Sequence, residues 1–348
     1  MRLERFAFRA MGSPCELALY GASRAAVAPI AEACSREIAR LEQKFSRFRD
    51  DSLTTRINRS AGDPDGIELD EETAALLDFA DTSFHESDGR FDPTSGVLRQ
   101  VWNFKSGRLP SPDSIRQTLD RVGWSKVQWN RPRLVLPTPG MELDFGGFVK
   151  EYAADRVAEL ARTLGVRSGM IDLGGDLAVV GPHPDGTSWL VGIRNPRHPE
   201  QPMARIALYR GGLATSGDYE RFMIVEGIRY SHLLDPRTGQ SFRAGPACVS
   251  VTAEHCLIAG AVSTIAMLHR EDECAEFLER VGLPHLVVGQ DGHVGGTARI
   301  VRGSAASGSS RYSRSPRSGS TTRSVSQPSL DRVQATSAAA AIEPSPIT

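Results

Sequence analysis

The hydrophobic pattern of this chain changes period repeatedly, and the order of those changes restricts the fold more than any single motif does. Apolar residues recur at helical spacing in four stretches, 24–45, 70–84, 148–164 and 255–268. In the first, Val27, Ile30, Ala31, Ile38, Leu41 and Phe45 fall on one face, and the second opens on Asp70, a residue suited to N-capping. Between them lie short β-like runs at 134–136, 170–173, 177–180, 189–193, 206–208, 222–225, 249–252 and 286–288, and residues 1–10 alternate like a first strand. The runs come in clusters separated by Gly and Pro, and they do not alternate one for one with the helices. A doubly wound parallel sheet requires that alternation. The pattern therefore predicts an α+β fold of mainly antiparallel sheets with packed helices.

Of the 348 residues, 40% are hydrophobic, enough for one large core or two modest ones. After Val301 the composition changes: 303–329 is mostly Ser, Arg, Gly, Thr and Pro, and an Ala-rich stretch follows. Such a segment cannot bury enough apolar surface to offset its ordering entropy. The expected division is a folded unit at 1–301 and a disordered Ser/Arg/Pro/Ala-rich tail at 302–348. Lys and Arg number 41 against 42 Asp and Glu, so no global field attracts nucleic acid or an anionic membrane. An anionic ligand must be held by local groups. The five cysteines are widely spaced with no Cys-x-x-Cys pair, which argues against zinc and disulfide frameworks and for buried thiols. Without an apolar N-terminal run or a transmembrane stretch, the expected location is cytoplasmic, with no membrane anchor.

Four polar turns carry the candidate chemistry. Thr215, Ser216, Gly217 and Asp218 gather hydroxyls, a glycine and a carboxylate between two expected strands; they suit a phosphate, or simply a hairpin. His232 follows a short strand and precedes Asp235-Pro236 and Gly239, so a rigid turn would hold a group that titrates near neutrality. A strand is expected to end at Asp144, after which Gly146 and Gly147 lead into a helix with Lys150 in its first turn. That arrangement suits a diphosphate, and equally suits close packing of strand and helix. It contains neither a Gly-x-Gly-x-x-Gly nor a Walker sequence. The remaining turns are 172–176, with two glycines between carboxylates, and 89–96, with Asp92 and Thr94 beside Phe91.

Taken in order, the segments 10–13, 45–52, 91–94, 144–155, 172–176, 214–219, 232–239 and 259–264 resemble the ApbE family of flavin transferases. The resemblance spans nearly all of the expected folded unit. It implies a fold related to the T-fold, and Mg2+-dependent transfer of FMN from FAD to a Ser or Thr hydroxyl of an acceptor flavoprotein, with release of AMP. It implies that His232 is the base for the incoming hydroxyl and that Lys150 steadies the phosphates. Met11, Phe48, Arg90, Phe91, Asp92, Asp144 and the backbone at Leu233 match positions lining the FAD site, with Phe48 against the flavin ring. Gly147 and Thr264, with Ser263 beside it, match the metal site. The acidic position of the family's metal motif is Gly260 here, and Glu151 stands where relatives often carry glycine. Glu254 is the nearby residue that would reach in from the preceding turn. Two other readings share the same residues: an FAD pyrophosphatase giving FMN and AMP, and a flavin-binding protein with little catalysis.

Overall fold

A computed structural model describes residues 1–198, 200 and 202–301, so the expected tail at 302–348 lies outside the described residues. Strands β1 (Arg2–Ala10) and β2 (Ser13–Gly21) form a hairpin turning at Met11 and Gly12, both at positive φ. Such a turn matches the right-handed twist of the flanking strands. Helix α1 (Arg24–Phe45) follows, then α2 (Leu53–Arg59) and β3 (Ile67–Glu68). Helix α3 (Glu71–Glu86) is capped by Asp70, whose side chain accepts from Thr73 N. Helix α4 (Pro112–Leu119) and the short strands β4 (Gln128–Asn130) and β5 (Arg133–Val135) lead to α5 (Val149–Thr163).

Three hairpins and a single strand come next: β6 (Gly169–Leu173) with β7 (Asp176–Gly181), β8 (Trp189–Arg194) with β9 (Pro202–Leu208), β10 (Gly212–Gly217), and β11 (Phe222–Val225) with β12 (Ile228–Ser231). Strand β13 (Cys248–Ala253), helices α6 (Cys256–Met267) and α7 (Glu271–Val281), and strands β14 (His285–Val288) and β15 (Val294–Gly296) complete the described fold.

The main sheet has the order β1-β2-β6-β7-β10-β13-β14-β15, and every pair is antiparallel, as the pattern predicts. Its strands serve two cores by strict alternation. Leu17, Leu19, Ala178, Val180, Ala214, Val249 and Val251 pack with α1, α5 and α6, while Ala18, Leu177, Val179, Leu213 and Cys248 pack with the β8–β9 hairpin. Because both faces are covered, β7 is buried along its whole length and reads as a continuous apolar run. A third, smaller cluster of Val97, Leu98, Trp102, Ile115 and Met223 seats the β11–β12 hairpin.

Helix α6 has no side-chain cap of its own, since His255 makes no capping hydrogen bond. The cap comes from α5. Asp155, buried at 6% exposure, accepts from Cys256 N at 2.8 Å and Leu257 N at 2.9 Å. Two otherwise orphaned N–H groups are satisfied by one carboxylate at the positive end of a helix. Burial pushes Asp155 up to about 7, against the pull of those two N–H groups. Strand β10 passes the same helix end at Gly212, where a Cβ would lie 2.5 Å from Cys256 N. Replacing Asp155 with Ala strands both N–H groups in the core, and the expected loss is about 2 kcal/mol in a urea titration. Unchanged unfolding would remove the cap from the account of α6.

Candidate active site

The α5–α6 seam carries a polar cluster. Lys150 Nζ lies 2.6 Å from Asp176 Oδ2 at the mouth of the β6–β7 hairpin, where Gly174 and Gly175 both take positive φ. Burial alone would lower the Lys150 ammonium, but Asp176 and Glu151 outweigh it and hold it above its ordinary range. Glu151 is buried, and its Oε2 has no hydrogen-bond partner among the described residues. Burial, then the charge of Asp176, raises the Glu151 carboxyl above the usual carboxylate range. Facing Glu151 across the seam is Gly260, where a Cβ would stand 2.6 Å from Glu151 Cγ and 2.9 Å from Oε1. Glu254 is exposed at the turn before α6; the carboxylate beside Gly260 is that of Glu151.

Thr215, Ser216 and Gly217 are not a turn. They complete β10 in register with β13, and Asp218 pairs instead with Arg197. Their hydroxyls point into ordered contacts: Thr215 Oγ1 with Ser250 Oγ at 2.8 Å, and Ser216 Oγ with Ser263 Oγ at 2.9 Å and Thr264 Oγ1 at 3.1 Å. Ser263 Oγ also donates to the Gly260 carbonyl at 3.0 Å.

The expected strand ending at Asp144 is absent, because residues 141–144 adopt no regular element. Asp144 instead caps the short 3-10 turn Phe145–Gly147, accepting from Gly146 N at 2.9 Å, and pairs with Arg47. Gly96 permits this, since a Cβ there would lie 2.4 Å from Asp144 Cβ. Arg47 also covers one face of the Phe48 ring, its guanidinium carbon 4.7 Å from the centroid, while Phe48 is 82% exposed. An exposed aromatic of this kind is ready to stack on a planar ligand. Burial and the charges of Arg99 and Arg221 pull Arg47 down to about 10, so three guanidiniums share one region.

Arg221 also borders His232. The Arg221 carbonyl accepts from His232 N at 2.9 Å and lies 3.1 Å from His232 Nδ1. A carbonyl only accepts, so Nδ1 carries the proton and Nε2 keeps its lone pair. Burial, then the Arg221 charge, lowers His232 to about 4, leaving the ring neutral at pH 7. The following loop is rigid. Asp235 receives two bonds from the Arg237 guanidinium, Ser241 Oγ donates to Ser231 O, and the Leu233 carbonyl accepts from Phe242 N.

The Arg90–Asp92 segment is structurally engaged. Arg90 Nε donates to Leu268 O at 3.3 Å, the Phe91 ring is buried 5.8 Å from that of Phe148, and Asp92 accepts from Thr94 and from Trp124 N. Asp92 borders an open cleft of about 470 Å³ that Gly89, Lys126, Pro236 and Arg237 also line, so the end of this segment approaches the turn after His232.

With this geometry in hand, comparison with known proteins is decisive. The family model described as the ApbE family matches residues 11–287. The chain belongs to the ApbE family. It is 31% identical over 313 residues to the FAD:protein FMN transferase of Treponema pallidum, covering 84% of this chain and 86% of that one. The crystal structure of the ApbE protein from Thermotoga maritima superposes with a TM-score of 0.78 at 30% identity, over 85% of this chain and 97% of that chain. The apo flavinyl transferase ApbE of Pseudomonas stutzeri gives 0.73 at 27% identity, over 86% and 95%. Like these ApbE proteins, the chain is a transferase.

Within this ApbE chain, several residues at the centre have no motif of their own. Asp155 and Asp176 belong to the matching segments, but only burial reveals one as a cap and the other as the partner of Lys150. Arg47 lies inside the matching segment 45–52, where the resemblance singles out only Phe48, and Arg221 lies outside every matching segment. Among the described residues, no three His, Cys, Asp or Glu side chains cluster as a metal site, and no helix is long and apolar enough to cross a membrane. Changing Lys150 to Met leaves Asp176 buried without its counter-charge, and the expected destabilisation is about 3 kcal/mol. Adding Asp176→Asn should recover much of it, and urea titrations of the two variants measure the coupling.

Proposed function

We propose that this protein transfers FMN from FAD to a Ser or Thr hydroxyl of an acceptor flavoprotein, releasing AMP. The carrying observation is His232, whose Nδ1 is tied to the Arg221 carbonyl and whose Nε2 is unprotonated on a half-buried ring. In the reaction the acceptor oxygen attacks the FMN phosphorus of the diphosphate, and the bond from that phosphorus to the bridging oxygen breaks. AMP leaves with the bridging oxygen, while the hydroxyl proton passes to His232 Nε2. Arg47 and Arg99 are paired with Asp144 and Glu142, so Arg221 is the guanidinium beside His232 offered to an anionic ligand, and Phe48 offers a face to the flavin. The family resemblance assigns Met11, Asp144, Leu233 and the Arg90–Asp92 segment to the same FAD site. Lys150 would steady the phosphates as a charge held in place by its salt bridge to Asp176.

Access supports a macromolecular acceptor. The β11–β12 hairpin, whose last strand ends one residue before His232, exposes Phe222 and Ile224 on one face. Mg2+ belongs to the proposal as well. The residues fit it, because a buried carboxylate oxygen at Glu151 lacks a partner, Thr264 is partly open, and the exposed Gly147 ends the turn that leads into α5. When bound, Mg2+ supplies positive charge toward the diphosphate. The catalytic unit proposed is residues 1–301. A cytoplasmic setting is supported by five free, buried cysteines.

Incubation with FAD, Mg2+ and an acceptor domain should give covalent flavin fluorescence on the acceptor in a denaturing gel. AMP without labelled acceptor would replace transfer by hydrolysis, and FAD binding without AMP would replace it by simple flavin binding. The substitution His232→Ala should slow transfer by roughly 10²–10⁴-fold and leave FAD affinity nearly unchanged. A base must be deprotonated to act, so activity is present above its pKa and is lost as pH falls through it. With His232 at about 4, kcat/KM should stay level from pH 8 to near 5 and fall only below that. A break near the ordinary histidine value of about 6.5 would show that the ring is not desolvated in solution.

A further inference from the structure

In the α5–α6 seam the two helices run in opposite directions. Asp155 meets Cys256 and Leu257, and Glu151, one turn earlier on α5, meets Gly260, one turn later on α6. Thr264 lies one further turn along α6, toward the end of the seam where α5 begins after the Phe145–Gly147 turn. At that end the Glu151 carboxylate fills the volume in which any side chain at position 260 would have to sit. It is buried, its Oε2 accepts nothing, and Gly260 is the residue that admits it.

The hydroxyls beside it have a fixed polarity. Ser263 has one proton, and the Gly260 carbonyl, which only accepts, takes it. Ser263 Oγ therefore accepts from Ser216, whose proton is then used. The contact between Ser216 and Thr264 must run from Thr264 inward. Thr264 Oγ1 thus directs its proton into the protein and leaves its lone pairs outward, as a cation requires. Ser263 is in this way a positioning residue, fully buried and engaged on both sides, with Thr264 as the oxygen that faces the site.

We propose that Glu151 supplies from α5 the carboxylate of the Mg2+ site in this protein, in place of an acidic residue on α6, and that Ser216 and Ser263 orient Thr264 Oγ1 toward the same cation. The inference rests on the proposed FAD reaction for its cation, but metal binding is read without catalysis. Mn2+ serves as the probe, titrated into the full chain and followed by the free-ion electron paramagnetic resonance signal, with and without FAD. Glu151→Gln keeps the shape and removes the charge, and it should raise the Mn2+ dissociation constant at least tenfold while the far-UV circular dichroism is unchanged. The pair Glu151→Gly with Gly260→Asp returns a carboxylate to the same volume from the opposite helix and should restore Mn2+ binding to within a few-fold. Gly260→Asp alone places two acidic side chains in one volume and should lower stability without tightening Mn2+. Ser216→Ala should weaken Mn2+ several-fold with the fold intact.

Wild-type affinity for Mn2+ in Glu151→Gln, or tighter binding in Gly260→Asp alone, would overturn the assignment. If Mn2+ binding depends on Glu151 but the wild-type protein never labels an acceptor, the metal inference stands and the transfer reading falls. If labelling proceeds and Mn2+ binding ignores Glu151, the reverse holds.

Discussion

The carboxylate of Asp155 at the start of α6 is the interaction on which the rest of the site depends. It ties the start of α6 to α5 through two hydrogen bonds. A helix start buried without a cap would expose orphaned N–H groups to an apolar core, and no residue of the β13–α6 turn provides one. Once α5 supplies it, the remaining contacts of the seam follow by helical spacing. Gly260 faces Glu151, and Thr264 comes to the end where Gly147 precedes α5. The mouth of the β6–β7 hairpin then brings Asp176 to Lys150.

Much of this architecture is legible in the sequence because long amphipathic helices and doubly covered strands leave strong periods. Helices α1, α3, α5 and α6 follow from Val27, Ile38, Leu41 and their counterparts, and the antiparallel character of the sheet follows from β-like runs that cluster without alternating with helices. Helices α2 and α4, of seven and eight residues, are shorter than the window over which a helical period is read, and Pro14 interrupts the pattern of β2. Asp144 illustrates a different limit. Apolar Leu143 beside an aspartate and two glycines reads as the end of a strand, but Asn58 bonds the backbone of Leu143 on both its N–H and C=O sides and no sheet partner remains. Thr215–Asp218 reads as a turn by composition, yet the hydroxyls are satisfied by Ser250, Ser263 and Thr264 while the backbone continues as β10.

The structure adds internal partners that a motif does not carry. Lys150 stands in a glycine-led helix start, and its ammonium is held by Asp176, a partner 26 residues further along. Phe91 packs against Phe148, and Asp92 accepts from Trp124 N. His232 is a further case. Its rigid turn is visible in Pro236 and Gly239, and the structure adds what a sequence cannot carry: the Arg221 carbonyl that selects the tautomer, and the burial and Arg221 charge that keep the ring neutral.

A seam of antiparallel helices has a consequence for how a motif is read. Side chains from the two helices compete for shared volumes, so the chemistry at a point belongs to the volume and only secondarily to a sequence position. At the Gly260–Glu151 contact a separation of 2.6 Å from a Cβ to Glu151 Cγ leaves room for one side chain. An acidic residue at 260 therefore demands a small residue at 151, and Glu151 demands glycine at 260. Read singly, Gly260 is a missing carboxylate and Glu151 an intrusive charge beside Lys150. Read as one packed contact, the two positions are a single choice: one carboxyl group occupies the shared volume beside Lys150 and Asp176, and here it is carried by α5.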